Sequence, residues 1–258
     1  MTQTSRAALL SNKTILITRP VGREKHLCHL IEQAGGFVIH YPVFNIQPPS
    51  HSEVEQLKHL KNQLPDYTMA IFISPTAVEQ SQIYFPVLPG HLTIVSIGSK
   101  TTEALKRQNI RVDIEASKHN TESLLQTVEF QKPQIQGQRI LIFRGAGGRA
   151  LLGDTLKHRE AQILYVETYK REMPAHKPLT ELQIKKLDAI TISSNEGLEN
   201  LINLMKGPGK LIDIPLALPS QRTAALAGQH GFKTIISAKN ATDEAILAAL
   251  SDYFSSSH

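Results

Sequence analysis

The chain repeats itself. Ser99, Thr102, Ala104 and Leu105 recur as Ser220, Thr223, Ala225 and Leu226, an offset of 121 residues, and Lys118, Thr121 and Glu122 recur at the same offset as Lys239, Thr242 and Asp243. Ile71-Phe72-Ile73-Ser74 aligns with Ile190-Thr191-Ile192-Ser193 at 119, and Ile15-Leu16-Ile17-Thr18-Arg19 with Ile140-Leu141-Ile142-Phe143-Arg144 at 125. A nearly constant offset of about half a 258-residue chain implies one ancestral unit, duplicated. Two similar domains of ordinary size are therefore expected.

What each copy folds into follows from its periodicity. Short apolar runs at 15–18, 37–41, 69–73, 92–97, 112–114, 139–143, 163–168, 189–192, 215–218 and 234–236 read as buried strands. Between them lie helical patterns, among them 24–33, 53–64, 103–108, 150–159 and 242–253, with Pro75 or Thr76 near one helix start and Asn120 or Thr121 capping another. Strict alternation of strand and helix predicts an α/β fold, each domain a parallel sheet flanked by helices. Pro42, Pro48 and Pro49, and later the polar stretch from Tyr169 to Pro174, read as extended segments leaving one domain for the other.

The duplication gives weight to the turns. Six of them follow strands, and all carry Ser, Thr, Arg or Gly, residues suited to binding oxyanions where open α/β sheets hold ligands. The candidates are Arg19; Ser74, Pro75 and Thr76; Ser99, Thr101 and Thr102; Arg144, Gly145, Gly147, Gly148 and Arg149; Ser193, Ser194 and Asn195; and Ser220, Arg222 and Thr223. The turn from Phe143 to Arg149 is the richest, with glycines for close backbone approach and two guanidinium groups. Its spacing fits neither GxxxxGK[ST] nor GxGxxG, so a nucleotide site is not predicted. Two such domains facing each other across a cleft would surround an anionic ligand.

Composition narrows the ligand. The net charge is +5 with Lys and Arg scattered, which favours a small anion over a nucleic-acid track, and the chain has no tryptophan for base or sugar stacking. Eleven histidines show no metal-ligand spacing, and no serine stands in G-x-S-x-G, so neither a metal nor a hydrolase triad is expected. A single cysteine, Cys28, precludes an internal disulfide and reads as packing. The segment up to Lys13 holds only the patch Ala7-Ala8-Leu9-Leu10, too short for a signal-peptide core, and no stretch is long enough to span a membrane; a cytoplasmic protein is expected. An enzyme of this kind works by positioning and electrostatics, with at most one acid. A non-catalytic two-domain binding protein or sensor for an anionic small molecule would use the same turns.

Thr18-Arg19-Pro20, the stretch from Phe72 to Val78, the stretch from Ile97 to Leu105, Arg144-Gly145-Ala146-Gly147-Gly148-Arg149, Tyr169-Lys170-Arg171 and the stretch from Pro219 to Leu226 together resemble the uroporphyrinogen-III synthase (HemD) family, over about 15–250. The resemblance implies two α/β domains joined by two extended crossings: a discontinuous one, 1–42 with 170–258, enclosing an inserted one, 43–169. It implies a cofactor-free cyclising hydro-lyase, in which hydroxymethylbilane loses its hydroxyl, ring D is inverted through a spiro intermediate, and uroporphyrinogen III closes. It implies a monomer, possible handover of substrate from hydroxymethylbilane synthase, and a junction tyrosine, Tyr169, that points into the cleft and assists loss of the hydroxyl. The family often has Glu at Ala146, Ala at Thr102 and Gly at Glu160; the first removes any side-chain ligand there, and the others read as tolerated changes.

Overall fold

The computed structural model describes residues 9–116 and 121–256. Lys118 of the repeat, Asn120 as a cap, Ala7, Ala8 and Ser257 lie outside them. In chain order the strands are β1 (Thr14–Ile17), β2 (Phe37–His40), β3 (Asn45–Gln47), β4 (Met69–Phe72), β5 (Thr93–Ser96), β6 (Ile114–Glu115), β7 (Arg139–Gly145), β8 (Gln162–Glu172), β9 (Ala189–Thr191), β10 (Leu216–Leu218) and β11 (Ile235–Ser237). The chain divides into two compact units, one of Met1–Asn45 with Glu172–His258 and one of Ile46–Arg171. Both divisions fall inside strands, β3 and β8, so the connecting segments are regular structure.

The first unit carries a sheet in the order β11-β10-β9-β1-β2, with every adjacent pair parallel. The second carries β3-β8-β7-β4-β5-β6, parallel from β8 through β6. Replacing β11, β10, β9, β1 and β2 by β6, β5, β4, β7 and β8 turns the first order into the second without its edge strand β3. These are the pairs the sequence offsets align. Register corrects one offset: Leu16 lies beside Ile190, and its counterpart Leu141 lies beside Ala70 rather than Ile71. The counterpart of Ser74 is thus Ser194, not Ser193. Both are N-caps, accepting the amide three residues on: Ala77 at 3.1 Å and Gly197 at 3.0 Å.

Alternation along each strand fills a core on both sheet faces. In β1, Leu16 faces a cluster with Ile190, Leu201 and Leu218, while Ile15 and Ile17 face another with Leu27, Ile31 and Leu250. In β4, Ala70 and Phe72 join Phe143 and Phe85 on one face, and Met69 and Ile71 join Ile142 and Leu156 on the other. Cys28 packs against the second of these four layers; burial, then Glu24 and Glu32, pushes its thiol pKa up, which keeps it protonated and unreactive. Among the described residues no helix is long and apolar enough to cross a membrane.

Several element boundaries differ from the periodicity. The helix expected over 103–108 begins at Ser99, because Gly98 at φ 91° turns the chain at once out of β5. Arg144 and Gly145 belong to β7, and the extended segment expected from Tyr169 onward begins as the end of the 11-residue β8. Glu160, where the family often has Gly, follows the helix Leu151–His158 at φ 67°, the left-handed conformation that glycine adopts at least cost.

One carboxylate gives the second unit a pH signature. Glu53, in the helix His51–Gln63, accepts from Lys170 Nζ at 2.8 Å and from the Ser50 amide at 2.7 Å, and these bonds hold its pKa down at about 2. A folded-state pKa below the ordinary carboxylate value stabilises the fold above about pH 4.5, and that stabilisation is lost as pH falls through the folded pKa. Glu53→Gln is expected to lower the thermal midpoint by a constant amount from pH 7 to about 5, and the deficit to shrink between about pH 4.5 and 2. Paired thermal melts across that range check it; a deficit that persists at about pH 2 would assign the effect to packing.

Candidate active site

In each sheet the chain changes direction between two neighbouring central strands, β1 and β9 in the first unit, β4 and β7 in the second. Crevices for ligands form at the carboxyl ends of such pairs. Those ends carry Arg19 with Ser193, and Ser74 with Gly145.

The second unit gathers the most of the predicted residues. Ser74 is extended (φ −161°) and caps the helix Pro75–Tyr84, with Pro75 in its first turn. Its Oγ accepts the Ala77 amide and stands 3.4 Å from the Tyr169 hydroxyl. Tyr169 reaches this face by a bulge. Arg144 pairs with Glu167, but Gly145 pairs with Tyr169, so Thr168 is the extra residue of β8. Plain alternation would put Tyr169 opposite Val166; the bulge returns it to the same face, where both join the cluster of Phe72 and Phe143. A Cβ on Gly145 would lie 2.6 Å from two atoms of the Tyr169 ring, so glycine is needed there. Tyr169 itself is 1% exposed.

Arg144 is also buried, at 4% exposure. Its Nε donates to the Gly145 carbonyl at 3.1 Å and its Nη1 to the Arg149 carbonyl at 3.3 Å, while the guanidinium lies 4.6 Å over the Tyr165 ring. Gly147 sits at φ 76°, and Gly148 leaves room for Arg144 Nη2, 2.5 Å from where a Cβ would stand. Arg149 is exposed and paired with Glu122. Arg144 and Arg149 edge a recess of about 310 Å³ floored by Ile73, Ile97 and Ile142. A larger groove of about 570 Å³ runs along the helix His51–Gln63, but Glu53, Glu55 and Glu167 line it, the wrong charge for an anionic ligand.

Other predicted residues are already engaged. Thr101 Oγ1 donates to the Ile97 carbonyl at 2.9 Å; Thr102 Oγ1 lies 2.7 Å from Ser96 Oγ and from Glu115 Oε2. Both are buried, since helix formation from Ser99 turns them inward. At helix starts, Thr76 is half-buried and Ser99 exposed.

In the first unit, Arg19 Nη1 pairs with Asp243 Oδ1 at 2.5 Å, and His26 Nδ1 lies 2.8 Å from the other oxygen of that carboxylate. Arg19 is therefore half-buried and spoken for; Asp243, whose only sequence signal was its place in the repeat, holds it. Thr223 Oγ1 donates to Asn195 Oδ1 at 2.8 Å, tying two predicted turns together. Ser193 and Arg222 are exposed, Ser220 half-buried. The recess between Arg19 and Ser193 is about 10 Å³, room for one water at most.

Comparison with known proteins agrees across the chain. The family model described as uroporphyrinogen-III synthase HemD matches residues 25–248. The uroporphyrinogen-III synthase of Escherichia coli K12 is 30% identical over 253 residues, covering 92% of this chain and 99% of that protein. The putative uroporphyrinogen-III synthase of Methanothermobacter thermautotrophicus is 29% identical, covering 91% and 96%. Among solved structures, a mutant uroporphyrinogen III synthase of Thermus thermophilus shares the fold at TM-score 0.63 and 15% identity, covering 95% of this chain and all of that one. The Helicobacter pylori uroporphyrinogen-III synthetase does so at 0.56 and 12%, covering 92% and 97%.

Proposed function

We infer the chemistry from one premise: this chain belongs to the uroporphyrinogen-III synthase family. It is an enzyme that cyclises hydroxymethylbilane to uroporphyrinogen III, with inversion of ring D and loss of water. The linear substrate also cyclises unaided, to the wrong isomer. Catalysis therefore consists of holding a flexible polycarboxylate in one conformation and releasing its hydroxyl at the right moment.

The observation that carries the mechanism is the Ser74–Tyr169 contact of 3.4 Å at the switch point. Ser74 Oγ uses a lone pair on the Ala77 amide, so its own hydrogen is available to the phenolic oxygen. Tyr169 then turns its proton toward substrate and hands it to the leaving hydroxyl, which departs as water. Tyr169 is buried, which suits a step to be kept from bulk solvent. It also sets a requirement: substrate has to part Ser74 from the turn 145–149 to reach the hydroxyl. Acetate and propionate groups are held by the turns of the second unit, with Thr76, Ser99, Arg149 and the exposed amides near Gly147 and Gly148 as the contacts. Acid assistance and positioning suffice, so we propose a cofactor-independent reaction, carried out by a monomer in the cytoplasm. Handover from hydroxymethylbilane synthase would spare the substrate its unaided closure.

Hydroxymethylbilane generated in situ, followed by oxidation and separation of uroporphyrin isomers, tests the activity. Isomer III is expected to predominate. Isomer I alone, from folded protein with an active coupling enzyme, refutes it.

A further inference from the structure

We infer that Arg144 is a positioning residue: its guanidinium fixes the turn 145–149, and through it the seat of Tyr169, instead of meeting substrate carboxylates. The inference rests on the reading of Tyr169 as the acid. Arg144 is the most buried charge at the site, and Nε and Nη1 of its fork are already committed. One arm bonds the carbonyl of Gly145 and another that of Arg149, the two ends of the turn. Glu167 Oε1, 3.7 Å from Nε, and the Tyr165 ring hold the plane of the fork. The turn wraps so closely that Gly148 has no space for a Cβ beside Nη2. What the turn carries is the wall of the Tyr169 site: Gly145 lies against the ring, and the Ala146 amide donates to the Tyr169 carbonyl at 2.8 Å. A lysine keeps the charge but cannot bridge two carbonyls with one planar group.

The test measures kcat and KM for wild type, Arg144→Lys, Arg144→Met, Tyr169→Phe and the Arg144→Met/Tyr169→Phe double variant. Alongside it, the ring signal of Tyr169 is followed by NMR in protein labelled with ¹³C-tyrosine, assigned by its loss in Tyr169→Phe. Both Arg144 variants are expected to lower kcat about tenfold with KM within about twofold, and to shift the Tyr169 signal. In the Tyr169→Phe background, Arg144→Met should cost less than about twofold more, because both changes remove one function. A severalfold rise in KM with an unmoved Tyr169 signal and multiplicative losses would make Arg144 a direct ligand and overturn the inference. So would an Arg144→Lys enzyme with wild-type kcat and an unshifted signal. If Tyr169→Phe matches wild type, the acid reading fails, and the ring signal alone decides: shifted, Arg144 positions the turn; unshifted, it does not. Arg144→Lys guards against a Met variant that does not fold.

Discussion

Gly145→Ala is expected to lower kcat about a hundredfold, at least as far as Tyr169→Phe does, and to destabilise the second unit by about 1–3 kcal/mol. The added methyl would stand 2.6 Å from Cε2 and Cζ of Tyr169. What decides the cost is where that ring can go, and at 1% exposure it has nowhere to go without moving β7, β8 or the helix capped by Ser74. Gly153 makes the contrast. A Cβ there would come nearer still, 2.0 Å from the Tyr165 hydroxyl. Tyr165 is only half-buried, however, and can swing outward, giving up a 3.3 Å bond to the Ala150 carbonyl and its contact with the Arg144 guanidinium. Gly153→Ala should therefore be the milder change despite the shorter distance. Chemical denaturation and steady-state kinetics on both variants check this, and Gly145→Ala/Tyr169→Leu separates the two effects. Removing the ring should return most of the lost stability while activity stays low. Recovery of activity in that double variant would detach Tyr169 from the chemistry.

The same residues show how far the sequence could be read. Pairing the copies by offset anticipates the common strand order of the two sheets, because apolar runs at matched positions form matched strands. It misaligns Ser74 by one residue: a strand's last apolar position and its following cap look alike in composition, and only register separates them. The serine and threonine turns are legible as turns, but which of their hydroxyls bond within the fold is not. Thr101 and Thr102 are drawn into the helix by Gly98, whose left-handed φ advances its start by four residues from the expected position. Arg19 was legible as a cation, yet its partner Asp243 lies 224 residues away and reaches it through the fold alone. Tyr169 stands out by resemblance alone. The bulge at Thr168 that aims it breaks the period of two on which any reading of strand faces relies, and no residue type marks it.

Phe143→Ala is expected to cost about 3–5 kcal/mol, the largest single loss of stability among these changes. Phe143 is fully buried in β7 beside its register partner Phe72 in β4, the rings stacked at 4.5 Å and 7°, with Phe85 edge-on at 5.5 Å. The pair lies across the switch point, immediately before Arg144 and two residues before Ser74. Truncation leaves a cavity that the strands cannot close without disturbing the turn above it, so kcat should fall along with stability. The first unit fills the equivalent place with different chemistry. Thr18, the counterpart of Phe143, is buried and donates to the Thr191 carbonyl at 2.7 Å, and Thr191 Oγ1 donates to the Leu16 carbonyl at 3.2 Å. Thr18→Val keeps the shape and removes one hydrogen bond, for an expected cost of about 1 kcal/mol. Urea unfolding of both variants measures the difference, with hydrogen exchange at β4 and β7 locating the loss in Phe143→Ala. Equal costs would mean that the duplicated switch points are stabilised alike despite their sequences. A cost several times larger at Phe143 would mean that the half bearing the proposed acid acquired an aromatic clamp beneath its turn, where the other half kept a hydrogen bond.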